Sequence, residues 1–290
     1  MKVVTSIKEA REIIERWKKE VGTIGLVPTM GRLHEGHQGV FNRAVKENDK
    51  VVVSIVTELL PRCQKSRKLD EEGLDKDLRL CEKNGVDLVF YPELSEMYGE
   101  GFASAIEVYE QIENVWSPKH PLYYQGVSTA VAKLFHILTP DKAYFGEKDA
   151  RQLAMIGQMV QDLNFHVRIV GCPVTREDDG LAKSAKNNEL SPEERIAAAV
   201  LNRALQAGRA AIEQGEKNGA AIVNKMTEII KEERLAKIEY VELLNWKDLL
   251  PTVTMTDHVL GAVAVYVGET RLRDNFIWDE KVEKLKTTKK

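Results

Sequence analysis

Apolar, β-branched runs at residues 24–27, 51–56, 86–90, 143–145 and 167–170 alternate with stretches in which apolar positions recur every three or four residues. The first pattern predicts buried strands. The second predicts amphipathic helices, here over residues 7–19, 37–46, 70–84, 126–138 and 149–163. In the first helix Ala10, Ile13, Ile14 and Trp17 fall on one stripe, so Trp17, like Phe135, is expected in the core and not as a ligand platform. Strand and helix in alternation predict an α/β fold, a mostly parallel sheet with helices on both faces.

The rhythm changes after Glu177. Ser191-Pro-Glu-Glu194 combines an N-cap, a proline at the first helical position and a capping-box acid, and it launches an Ala-rich helix expected to reach Gln214. A second helix near residues 221–232 and strands at 237–243 and 259–267 make this part a smaller α+β domain. The expected division is residues 1–177 and 178–290, with the turn-rich Asp178-Asp179-Gly180 as a place for a hinge.

Composition narrows the classes. The 290 residues, 43% hydrophobic and 30% charged with a formal net charge of −3, suffice for a substantial core and two domains. Basic residues are interspersed with acids, as in Lys18-Lys19-Glu20 and Lys231-Glu-Glu-Arg234, which reads as solvated helix faces and predicts no nucleic-acid partner. No apolar run approaches the ~20 residues of a membrane span, and the chain enters the capping box Ser6-Ile-Lys-Glu9 without a secretory signal, so a cytoplasmic protein with no membrane partner is expected. Cys63, Cys81 and Cys172 form neither a disulfide framework nor a CxxC site. Cys81 and Cys172 sit in apolar patterns and are expected in the core, whereas Cys63 lies in a polar loop.

The chemistry concentrates in Gly25-Leu-Val-Pro-Thr-Met-Gly-Arg-Leu-His-Glu-Gly-His37, where an apolar strand runs into a glycine-punctuated turn and two histidines stand three apart at a helix start. The free N–H groups and positive dipole end of a first turn attract phosphate, and Gly31 and Gly36 let the main chain approach a ligand. His34 and His37 share one face and can donate hydrogen bonds to charge developing on a reacting phosphoryl group. A zinc half-site and an ordinary turn-and-cap use of the same residues remain as alternatives.

Together with Gly85-Val-Asp-Leu-Val-Phe90, Tyr144-Phe-Gly-Glu-Lys-Asp149, Gln152-Leu153, Arg176-Glu-Asp-Asp-Gly-Leu181 and Leu190-Ser-Pro-Glu-Glu-Arg195, this segment makes the chain resemble the pantothenate synthetase (pantoate–beta-alanine ligase) family over nearly its whole length. The resemblance implies a Rossmann-like HxGH nucleotidyltransferase domain with a smaller carboxyl-terminal domain closing over the site, in a homodimer. It also implies an AMP-forming ligase that uses ATP with Mg2+ to join pantoate to beta-alanine through a pantoyl adenylate. It implies ATP contacts from Met30, Gly31, His34, His37, Gly146, Lys148, Asp149, Ser184 and Lys186, with His37, His34 and Lys148 catalytic and His37 a proton donor. Thr29, Met30 and Gln152 are the implied pantoate contacts, and Asp149 the residue to assist nucleotide or magnesium.

The departures from the family cluster in pocket-lining segments. After Ser54-Ile55 the family's Phe-Val-Asn-Pro, an apolar residue, Gln, Phe and Gly are replaced by Val56-Thr-Glu-Leu-Leu-Pro-Arg-Cys63, so Pro61 stands where a glutamine normally holds pantoate and beta-alanine. Ser-Ser-Arg-Asn becomes Ser184-Ala-Lys-Asn187, with Ala185 for a hydroxyl and Lys186 for a guanidinium. Gly-His-Phe-Arg-Gly becomes Leu122-Tyr-Tyr-Gln-Gly126, and Arg32, Gln38 and Gly39 are atypical beside the histidines. Three functions are compatible with these residues: the ligase with altered substrate contacts, a diverged or redesigned scaffold with a new small-molecule or thiol-ester hydrolase pocket at Cys63 served by His34 or His37, and an ATP-binding pseudoenzyme.

Overall fold

Six parallel strands in the order β1-β4-β3-β2-β5-β6 form the sheet that the strand and helix rhythm predicts. They are β1 (Lys2–Val4), β2 (Ile24–Thr29), β3 (Lys50–Ile55), β4 (Leu88–Phe90), β5 (Lys142–Gly146) and β6 (Arg168–Cys172). The computed structural model describes residues 1–20, 22–60, 69–108 and 121–287. Leu26, Val52, Val53, Ile55, Leu88, Val89, Phe90 and Ala143 are fully buried, as expected of parallel strands covered on both sides. The helices α1 (Ile7–Glu20), α2 (Gln38–Glu47), α3 (Glu71–Lys83), α4 (Leu94–Met97), α5 (Pro121–Leu138) and α6 (Ala150–Asp162) occupy the intervals between strands. β1, only three residues long, and α4, a single turn, are too short to leave a periodic signal and are absent from the sequence reading.

The chain divides into two compact units, residues 1–146 with 152–173, and residues 147–151 with 174–290. In the second unit three antiparallel strands, β7 (Ala236–Asn245), β8 (His258–Val267) and β9 (Thr270–Asp279), pack against α8 (Val200–Glu213) and α9 (Gly219–Lys231). Val259, Val263, Val265 and Val267 from β8 meet Leu201, Ala204, Leu205, Ile222, Met226 and Ile230 in its core. The segment 147–151 is tied to this unit by Arg151, which pairs with Glu242 and lies 5.0 Å from the Tyr240 ring.

β9 also lies outside the sequence reading. It enters through a two-residue turn after β8 in which Gly268 has φ 56°, a conformation that glycine adopts without a Cβ clash. The Ala-rich helix read as one piece is two: α7 (Pro192–Ala197) and α8 are separated at Ala198 and Ala199. The hydrogen bonds there are the tight i→i−3 kind, Ala199 N to Ile196 O and Leu201 N to Ala198 O, both 3.3 Å. Ala198 and Val200, on either side of Ala199, are both buried.

The capping box is present in both halves: Ser191 Oγ accepts from Glu194 N at 3.2 Å, and the Glu194 carboxylate accepts from Ser191 N at 2.8 Å. Ser191→Ala is expected to cost about 1 kcal/mol. Urea unfolding would show it as a lowered midpoint at unchanged slope.

Candidate active site

In an open parallel sheet the ligand crevice lies beyond the carboxyl ends of the strands where the strand order reverses. Here that point falls between β2 and β5, which pair in parallel while their crossovers leave in opposite directions. β2 ends at Thr29, whose hydroxyl donates to Ser54 O at 2.8 Å and accepts from Gly31 N at 3.3 Å. The chain then makes a left-handed double step, Gly31 at φ 76° and Arg32 at φ 55°. A Cβ on Gly31 would stand 2.7 Å from Leu69 Cδ1 and 3.1 Å from Asp77 Oδ2.

Asp77, on α3, holds this turn from below. Its Oδ1 accepts from Leu33 N at 2.7 Å, and the side chain is 2% exposed. Burial pushes its pKa up, opposed by the backbone donors of Leu33 and Arg32. The second carboxylate oxygen is buried without a partner. The sequence reading missed this residue, although a signal existed: Asp77 interrupts the apolar stripe Leu74, Leu78 and Cys81 on an amphipathic helix. A lone acid at such a position must find backbone donors.

His34 and His37 bracket one 3₁₀ turn, Glu35–His37, and cap each other. His34 Nδ1 accepts from Gly36 N at 3.0 Å, while His37 Nδ1 accepts from His34 N at 3.1 Å, a shorter approach than its 3.3 Å to His34 O. The rings meet edge to face with centroids 4.4 Å apart, and His37 stacks on the buried Phe41 at 6.3 Å. An imidazole whose Nδ1 accepts carries its proton on Nε2, so the backbone makes Nε2 of each ring a donor. The pair therefore has the tautomer that stabilising charge on a phosphoryl oxygen requires.

The second unit gathers a cationic group around Lys148, which lies in the turn Glu147–Asp149. Lys148 Nζ donates to Lys183 O at 2.6 Å. Its pKa is lowered from 10.5 to about 8, first by burial; Asp274 opposes the shift, and Arg273, Arg176 and Lys186 add to it. Arg176 binds Asp274 through two guanidinium nitrogens at 2.7 and 3.2 Å, and Lys186 Nζ donates to Arg271 O at 3.0 Å. Ser184 caps the turn Ala185–Glu189 by accepting from Lys186 N at 3.4 Å. Asp149 stands 3.9 Å from Arg273. Several cations crowded around one buried carboxylate make an environment suited to a polyanion.

The predicted residues thus sort into two sets. Thr29, Met30, Gly31, His34, His37, Gly146 and Gln152 belong to the first unit, and Lys148, Asp149, Ser184 and Lys186 to the second. Cys63, Pro61 and Arg62 lie outside the described residues.

The pantoate-beta-alanine ligase family profile matches residues 2–277. The chain belongs to that family. It is 46% identical over 277 residues to pantothenate synthetase from Clostridium botulinum (strain Loch Maree), spanning 95% of this chain and 99% of the relative. Against the Clostridium acetobutylicum enzyme of the same name the identity is 44% over 280 residues, covering 96% of this chain and all of that one. The crystal structure of Thermus thermophilus pantothenate synthetase superposes with a TM-score of 0.83 at 38% identity, over 95% of this chain and 99% of that one. A Francisella tularensis pantoate-beta-alanine ligase, solved with beta-gamma ATP and beta-alanine, aligns with a TM-score of 0.69 at 28% identity, over 96% and 97% of the two chains. These matches favour neither a thiol-ester hydrolase nor a pseudoenzyme.

Two of the stretches that depart from this family, residues 56–60 and 122–126, are neighbours in space. Leu59 and Leu60 are buried, and Leu59 packs against the start of α5 at Gly126 while its carbonyl accepts from the Tyr98 hydroxyl. Tyr123, in the altered stretch before Gly126, places its hydroxyl 3.8 Å from Met30 Sδ and its ring edge to face with Tyr124. Tyr123 thus stands beside Met30, one of the implied pantoate contacts.

Proposed function

We propose that the chain joins pantoate to beta-alanine at the expense of ATP, releasing pyrophosphate, AMP and pantothenate. The reciprocal His34–His37 cap carries this reading, because it holds two Nε2 donors together at the switch point of a nucleotide-binding sheet. In the first step a pantoate carboxylate oxygen forms a bond to the α-phosphorus as the bond to pyrophosphate breaks. The Nε2–H groups of His34 and His37 donate hydrogen bonds to the phosphoryl oxygens as their charge grows, and His37, the implied proton donor, acts through that hydrogen bond and keeps its proton. Lys148, Ser184 and Lys186 take the phosphates, with Met30, Gly31 and Gly146 lining the nucleotide, and Thr29, Met30 and Gln152 orient pantoate. In the second step the amine of beta-alanine attacks the acyl carbon, AMP leaves with the bonding pair, and the amine proton passes to solvent.

Magnesium enters with the nucleotide. Among the described residues no group of three or more His, Cys, Asp or Glu is placed to hold a metal ion. An ion that travels with phosphates keeps several waters and takes one or two protein carboxylates. Asp149, partly exposed and only loosely paired with Arg273, suits that place. Bound magnesium would neutralise charge on the phosphates. Among the described residues no helix is long and apolar enough to cross a membrane. A cytoplasmic homodimer divided near residue 177 completes the reading.

Pyrophosphate release with ATP, pantoate and beta-alanine together tests it. Turnover that requires all three supports the ligase, and ATP binding without release overturns it.

A further inference from the structure

We infer that Asn275 is a positioning residue for Lys148: strand β9 holds the Lys148 turn by its carbonyls and thereby sets where the ammonium stands. The inference deepens the ligase reading and rests on it. The Asn275 carboxamide nitrogen donates to Glu147 O and to Lys148 O, each at 3.0 Å, across 128 and 127 residues of sequence. The two carbonyls are consecutive, so one amide group fixes the plane of the peptide that carries Lys148. Asn275 is itself held: it is 7% exposed, and its backbone N–H donates to Asp274 Oδ1 at 2.8 Å.

Asp274 is bound in turn by the Arg176 guanidinium, which also donates to Gly180 O at 2.9 Å. The chain of contacts therefore runs from the turn at Gly180 through Arg176, Asp274 and Asn275 to the backbone beneath Lys148. Both Asn275 donors act on main-chain oxygens, so the residue works through Lys148 and needs no contact with substrate. Lys148 also faces Arg273 and Asp274 from β9, Arg176 from the preceding turn and Lys186 from the Ser184 turn. A slip of its backbone toward water would relieve both burial and this cationic crowding.

The test compares wild type with Asn275→Ala, and with the near-isosteric, uncharged Asn275→Leu should the alanine chain not fold. Loss of both donors is expected to raise the KM for ATP roughly tenfold while kcat changes less. That split reports a displaced phosphate-binding ammonium, since a merely structural loss would lower the amount of folded enzyme and leave the KM of the folded fraction unchanged. Asn218→Ala, which removes the exposed N-cap of α9, should lower stability and leave the KM for ATP in place. Should folded Asn275 variants keep the wild-type KM for ATP, the positioning role is wrong. Absence of turnover in the wild type would instead overturn the ligase reading beneath it.

Discussion

Replacing His37 is expected to reduce pyrophosphate release by 10²- to 10³-fold, about 3–4 kcal/mol of transition-state stabilisation, with ATP affinity little changed. The expectation rests on Nε2. Because His37 Nδ1 accepts from His34 N, the proton of the neutral ring sits on Nε2, where a donor meets a phosphoryl oxygen that gains charge only as the reaction proceeds. His37→Ala alone would confound this with lost capping, which costs about 1 kcal/mol of local stability. His37→Asn separates the two, since its short side chain can still accept from His34 N yet offers no atom at the Nε2 position. Rapid-quench measurement of the first turnover should show both variants equally slow. A fast His37→Asn enzyme would reduce the histidine to a cap.

The second large effect is in pH. Burial and three neighbouring cations depress Lys148 from 10.5 to about 8 in the folded protein. With ATP absent, the ammonium that binds phosphate is therefore lost above pH 8, and kcat/KM for ATP should fall nearly tenfold per pH unit there. Bound phosphate restores the favourable charge, so the corresponding limb in kcat should lie at higher pH. The same shift links to stability. Below pH 8 both folded and unfolded chains carry the proton, and the folded chain bears the cost of confining it. Between about 8 and 10.5 the unfolded chain binds more protons than the folded one, so this group's contribution to stability rises with pH; above 10.5 it is constant. The full span is at most about 3 kcal/mol, and less because the side chain is only partly buried. Lys148→Met should abolish the rise in a urea titration run across this window, and should bind ATP weakly at every pH. A profile in which Lys148→Met keeps the wild-type limb would assign the titration to another group.

The site was unevenly legible. The His34–Glu–Gly–His37 spacing within a strand-turn-helix pattern points to phosphate by itself, because capping and tautomer are set by residues three apart. The Ser191 box was legible for the same reason, and both its hydrogen bonds are present. Asp77 could have been noticed as an acid on an apolar stripe, but not that its partner would be Leu33 N, 44 residues away. The Gly268 turn was a local hairpin signal that went unread, and with it β9 and the Arg273-Asp274-Asn275 triplet were lost.

Periodicity and capping chemistry act within a few residues, so the chain by itself determined the parallel sheet, its covering helices, the histidine turn and the change of architecture beyond Glu177. Which unit the Lys148 turn joins was decided by tertiary structure. Lys148 follows β5 directly, and sequence order alone places it with the first sheet. Its backbone oxygens, however, are satisfied by Asn275 and its charge by Asp274, both more than a hundred residues downstream. Buried polar groups must be paired wherever a partner lies, and that partner is set by folding in three dimensions, which no pattern along the chain encodes.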